Sequence, residues 1–225
     1  MIVVFVSHLA RPSASEAAAL APILGATEYE ARMALAPTPP AIVMTTRDRD
    51  RAETAVAAIR ARGHGAHAFD DAALVPSARM TRMDDFRFEP DGVRRVTGDE
   101  LLLYGDVFAV LRAIHESEED PGADPEPVAY FFRRSGATPW ILRAFHSTYL
   151  ALGEARTTIA FTNFTRTLAR MRESAPMAVY DDRLLRRRPA ERIAIESLQS
   201  SRDVVDVLAH LLAMSIASQG GSPYR

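Results

Sequence analysis

The sequence predicts an α+β protein in three parts. A small sandwich in the order β, α, α, β, α, β occupies residues 1–72, an antiparallel β-barrel or sheet capped by a C-terminal helix occupies 79–176, and a helical tail occupies 177–225. Three observations predict this. A β-branched and aromatic run, Ile2–Val6, opens a stretch in which strand and helix periodicities alternate. A break around Pro76 and Ser77 is followed by short apolar runs separated by hairpin turns. An apolar stripe at helical spacing then closes the chain.

In the first module, Ser13 or Ser15 is placed to cap a helix over Glu16–Leu24 that stops at Gly25, with Pro22 forcing a kink or an early end. Thr27 precedes Glu30 by three residues, the capping-box spacing, and opens a second helix through Leu35. Three prolines between Ala36 and Pro40 break it. Ala41–Thr45 reads as a strand, and Thr46 with Asp48 opens a helix whose Ala52, Ala55, Val56 and Ile59 recur on one face. Gly63 ends that helix, and Gly65–Phe69 makes a third strand. Leu24-Gly25, Glu28–Leu35, the proline break and Ala52–Gly63 with its closing strand resemble the C-terminal domain of the bacterial ribosomal stalk protein and the related ClpS protease adaptor. The resemblance implies a small sheet covered by helices that holds another protein. The stalk domain's binding surface is rich in Lys, which this chain lacks, so the resemblance carries over no functional residue.

In the second module, Met83–Phe88 and Val93–Val96 flank Glu89-Pro90-Asp91-Gly92, a type I turn signature, and so form a hairpin. Leu101–Tyr104 follows the Gly98-Asp99 turn as a strand, and Val107–Ile114 continues from it. Glu116–Glu126 reads as a solvated acidic loop, and Val128–Arg134 with Trp140–Phe145 as a second hairpin. Phe161, Phe164, Leu168 and Met171 recur at helical spacing behind a cap at Thr162 or Asn163, and Pro176 ends the helix. Antiparallel strands followed by one amphipathic helix resemble a pleckstrin-homology-like (PH-like) barrel in pattern. In the tail, Val204, Val207, Leu208, Leu211, Leu212 and Ile216 form a stripe that either packs on the body or pairs with a second copy, a homodimer through residues 202–217.

Composition excludes whole classes of chemistry. The chain has 225 residues, 48% hydrophobic and 25% charged, with a net charge of -2, so nothing global attracts nucleic acid or anionic lipid. Cys is absent, which removes thiolate nucleophiles, disulfides and Cys-ligated metals. All 27 Lys-plus-Arg residues are Arg, which removes Walker loops, kinase lysines and Schiff-base chemistry, because Arg does not deprotonate. No basic leader precedes the short run Ile2–Val6, and no stretch is long and apolar enough to span a bilayer, so cytoplasmic residence is expected.

The remaining candidates are few. His64, His67, Asp70 and Asp71 are chemically suited to zinc, iron or manganese, but residues three apart on a strand face opposite ways. No G-x-S-x-G elbow and no G-x-G-x-x-G fingerprint occurs, and Asp84-Asp85 and Asp181-Asp182 are adjacent pairs that diverge on a strand. Arg87, Arg94 and Arg95 straddle the first hairpin, and Arg133 and Arg134 end a later strand; in PH-like domains such a hairpin holds anionic head groups. Glu89, Asp84, Asp85 and Asp91 sit among these arginines and counter their field. Arg186, Arg187 and Arg188 form a denser patch suited to an acidic partner, without the interleaved aromatics of single-strand nucleic-acid binders. The expectation is a non-enzymatic protein-binding adaptor or scaffold with no cofactor, no catalytic residue, no resident metal and no nucleic-acid partner. The alternatives are a regulatory module that binds a small anionic ligand or anionic lipid through the hairpin arginines, and a metal-dependent hydrolase built on His64 and His67.

Overall fold

The computed structural model of the chain describes residues 1–116, 124–186 and 201–219, which form two compact units. The first is built on Met1–Leu74 with His210–Ser215. It runs β1 (Ile2–His8), α1 (Ser13–Leu24), α2 (Glu28–Leu35), β2 (Ala41–Thr46), α3 (Arg49–Ala61) and β3 (Gly65–Asp70). The strands pair antiparallel in the order β2-β1-β3. Ile2, Val4 and Val6 share one face of β1 and join a core with Ala17, Leu20 and Leu24 of α1, Ala31 and Leu35 of α2, and Ala52, Ala55, Val56 and Ile59 of α3. Val3 and Phe5, on the opposite face, are buried as well. Burial on both faces is why the opening run is continuously apolar instead of alternating.

The helix ends follow local chemistry. Gly25 takes the left-handed conformation, φ 66°, and its N–H reaches the carbonyls of Ala21 and Pro22, so α1 runs through Pro22 to the expected stop. Its start differs from the expectation. Pro12 is the N-cap with no side-chain cap, and Ser15 donates its hydroxyl to the Pro12 carbonyl instead of accepting from the helix. Thr27 and Glu30 form the reciprocal capping box, and Asp48 caps α3 by accepting from Arg51 N at 3.0 Å.

The second unit takes in the described residues from Val75 to Arg186, from Ser201 to Ala209 and from Ile216 to Gln219. Its strands are β4 (Thr81–Arg82), β5 (Phe86–Phe88), β6 (Gly92–Arg95), β7 (Leu101–Leu103), β8 (Val107–His115), β9 (Glu126–Arg133), β10 (Trp140–Arg143) and β11 (Val179–Asp181). Helix α4 (Ala160–Ser174) follows β10, and α5 (Ser201–Gln219) ends the described chain. One sheet has the order β11-β8-β9-β10-β4 and the other β5-β6-β7. Pairing is antiparallel except at the two edges of the larger sheet, where β4 joins β10 and β11 joins β8 in parallel. The core gathers Phe86, Val93 and Leu102 from the smaller sheet, Val110, Phe131 and Trp140 from the larger, and Phe164, Leu168 and Met171 from α4.

Three differences from the sequence reading have physical causes. The expected strand Met83–Phe88 is divided, because Met83 N donates to the Ile141 carbonyl and Phe86–Phe88 turns to pair with β6. Asn163 lies inside the first turn of α4 and bonds the backbone of Thr157 through both its oxygen and its nitrogen, so it ties the entry loop and is not the cap. Phe161 keeps the helical spacing of the core residues but is 50% exposed, stacked on the buried Phe164. In α5, Val207, Leu208, Leu211, Leu212 and Ile216 are buried within the single chain. Most of the expected acidic loop, residues 117–123, and Arg187 and Arg188 of the basic patch lie outside the described residues. Arg186 ends a 3₁₀ turn over Arg183–Arg186. No described helix is long and apolar enough to cross a membrane.

Candidate binding cleft

The histidines considered as metal ligands are committed to separate partners. His64 Nδ1 accepts from Ala10 N at 3.1 Å, so its proton sits on Nε2 and is donated to Glu16 Oε2, also at 3.1 Å. Arg62 Nε donates to the same oxygen at 2.7 Å. The hydrogen bonds from Arg62 and then His64 hold the Glu16 carboxyl at about 2. His67 Nδ1 faces Arg60 Nη2 at 3.4 Å, and an arginine only donates. His67 Nε2 therefore carries the proton toward Ser7 Oγ at 3.1 Å, the reverse of what would activate a serine. Burial, with Arg60, pushes His67 below its ordinary value. Among the described residues no three His, Asp or Glu side chains converge as a cation would need.

In the second unit Tyr130 donates its hydroxyl hydrogen to Asp206 Oδ1 at 2.7 Å and accepts from His115 Nε2 at 2.6 Å. Ser77 N donates to Asp206 Oδ2 at 2.7 Å. All of these side chains are buried, so the network fastens α5 and offers nothing to a ligand. Glu126 accepts from Arg143, from Phe145 N and from His146 Nδ1 at 2.8 Å. Burial pushes the Glu126 carboxyl up, and the bonds from His146, Phe145 and Arg143 outweigh it, leaving the group below its ordinary value. Of the side chains bonded to Glu126, that of Arg143 is mostly buried and that of His146 mostly exposed.

The hairpin arginines each meet a carboxylate of their own surface. Arg87 and Arg94 are cross-strand partners and share Glu89 Oε1, at 3.0 and 2.8 Å. Arg94 also reaches Asp99, and Arg95 reaches Glu100 at 2.9 Å. Arg133 lies on the other sheet and pairs with Asp106 at 2.7 Å, while Arg134 N bonds the Asp106 carbonyl. Arg87, Arg94 and Arg95 thus stand on the smaller sheet and Arg133 on the larger, each in an ion pair.

A different group of charges remains unmatched. Arg166, Ala169, Arg170 and Glu173 recur at i, i+3, i+4 and i+7, so they share one face of α4. That face forms one wall of an open cleft of about 610 Å³, whose other wall is Leu152, Glu154 and Ala155 of the 3₁₀ turn Leu150–Ala155. Arg166 Nη1 donates to the Ala155 carbonyl and ties the walls together. Arg170 lays its guanidinium over the Phe88 ring, 4.0 Å from the centroid, which fixes the cation without neutralising it. None of Arg166, Arg170, Glu154 and Glu173 forms an ion pair among the described residues. The sequence reading gave this helix only its apolar stripe. The spacing of Arg166, Arg170 and Glu173 was the available signal, and on sequence alone it is the pattern of any solvated helix face.

Comparison of the chain with protein-family models, with curated proteins and with solved structures finds no match.

Proposed function

We propose that this protein is a non-enzymatic adaptor or scaffold, and that the cleft between α4 and the Leu150–Ala155 turn is where it holds another polypeptide. The observation that carries the reading is where charge is left over. The side chains suited to chemistry, Glu16, His64, His67, Glu126 and Asp206, are tied into internal bonds, whereas two cations and two anions that form no ion pair among the described residues line one open cleft. A catalytic site excludes water, and a small-molecule site encloses most of its ligand. An open cleft with charged walls does neither, and it suits the polar rim of a protein contact.

A small anionic ligand or anionic lipid at the hairpin would have to draw Arg87, Arg94 and Arg95 away from Glu89, Asp99 and Glu100, an exchange the cleft arginines do not require. The finer fold readings belong to the same proposal. The first unit's three antiparallel strands and three helices support a stalk-like or ClpS-like sandwich. In the second unit, antiparallel strands followed by α4 support a PH-like arrangement, to which β4 and β11 add parallel edges.

Affinity capture from the source cell with three full-length chains tests the adaptor reading: wild type, Arg166→Ala with Arg170→Ala, and Arg87→Ala with Arg95→Ala. The expected result is a polypeptide retained by the wild type and the hairpin variant and lost by the cleft variant. Equal recovery by all three chains, or recovery by none, overturns it.

A further inference from the structure

The charges of the cleft also state what kind of segment it accepts. We infer that it selects by charge pattern, taking a polypeptide segment that sets a carboxylate on Arg170 and a basic side chain against Glu154 and Glu173, with a small apolar residue between them. This rests on the reading of the cleft as a polypeptide site.

Two cations and two anions on the walls sum to zero, so a segment of uniform charge gains from one pair and is repelled by the other. A segment carrying both signs in the matching order gains from both. Leu152, Ala155 and Ala169 supply the apolar floor, and Ala169, flanked by the two arginines of its own face, allows close approach. Gly153 takes φ 53° and ψ -128°, a conformation that favours glycine, and bends the opposite wall between the buried Leu152 and the exposed Glu154. Arg166 is partly engaged by the Ala155 carbonyl, which leaves Arg170 as the main reader of a carboxylate. Its planar fork, held over the Phe88 ring, is pre-set for the bidentate contact that a carboxylate offers. From Arg170 to Glu173 the helix rises about 4.5 Å, between one and two residues of extended chain. The acidic and basic residues of the occupant therefore stand about two positions apart, with the small apolar residue between them.

The probe is a displayed library of random dodecapeptides panned on the immobilised full chain, followed by fluorescence anisotropy on one enriched peptide. Enriched sequences are expected to pair an acidic with a basic residue at that spacing. Arg170→Glu is expected to weaken the labelled peptide by about tenfold or more, and a peptide with its acidic residue changed to Lys is expected to regain binding on Arg170→Glu. A melting curve shows that the variant is folded, since Arg170 is exposed. Enrichment of uncharged sequences, or an affinity indifferent to Arg170→Glu, overturns the charge pattern and leaves polypeptide binding standing. No enrichment over bare support sinks both.

Discussion

Glu16 and His64 are buried against each other, Oε2 to Nε2 at 3.1 Å, although one lies in α1 and the other just before β3. With Arg62 on the same oxygen, the pair fastens α1 to the end of the sheet. Glu16→Ala leaves both donors short of an acceptor and is expected to cost about 1.5 to 3 kcal/mol by urea denaturation at neutral pH. The acid response has a definite sign. The folded carboxyl, at about 2, lies below its ordinary 4.5, so its contribution is complete above 4.5 and disappears as pH falls toward 2. The melting temperature of the wild type should therefore fall more steeply across that window than that of Glu16→Gln. Parallel curves would refute the assignment.

Tyr130 and Tyr180 make a matched contrast. The Tyr130 hydroxyl bonds both Asp206 and His115, whereas the Tyr180 hydroxyl is buried with no hydrogen bond among the described residues. Tyr130→Phe takes a hydrogen bond from each partner and is expected to cost about 1 to 3 kcal/mol, while Tyr180→Phe should be neutral or stabilising. Equal losses in denaturant midpoint would show that the burial of the rings, and not the hydroxyls, sets stability.

Gly92 shows how a signal can be read correctly for an incomplete reason. In the sequence it closes the turn after Pro90, and the structure does close there, with Glu89 N donating to the Gly92 carbonyl at 2.8 Å. Gly92 also begins β6, where a Cβ would run into the Leu102 carbonyl oxygen of β7. Backbone has no flexible end to move aside. Gly92→Ala is expected to cost about 1 to 3 kcal/mol through overpacking, read as a lower denaturant midpoint with an unchanged slope. An unaltered midpoint would mean that the smaller sheet yields.

The same contrast explains what was legible in the sequence. α3 and its neighbouring strands could be read because cap, period and glycine stop agree within a few residues, as at Asp48, Ile59 and Gly63. β4 and β11 could not, because strands of two and three residues pair in parallel with β10 and β8 and leave no local period. The stripe of α5 was visible as a period, but its burial and the fastening of Asp206 by Tyr130, 76 residues away in sequence, are tertiary facts. The cleft was the least legible feature. Arg166, Arg170 and Glu173 matter because the Leu150–Ala155 turn lies opposite them, and no spacing within α4 encodes that.

Gly65 and Ser7 are coupled in a way a double-mutant cycle can isolate. A Cβ at Gly65 would stand 2.5 Å from Ser7 Oγ and 3.3 Å from His8 N, and Ser7 Oγ is held in place by His67 Nε2. Gly65→Ala should therefore cost about 1 to 3 kcal/mol in the wild-type background. Ser7→Ala removes the oxygen that is struck but also an acceptor for His67, so alone it should cost about 1 kcal/mol. Combined, the two should cost less than their sum by more than about 0.5 kcal/mol, the level at which neighbouring sites are coupled. Strict additivity would place the penalty at the His8 backbone, and the close approach of Gly65 to Ser7 would then have no energetic consequence.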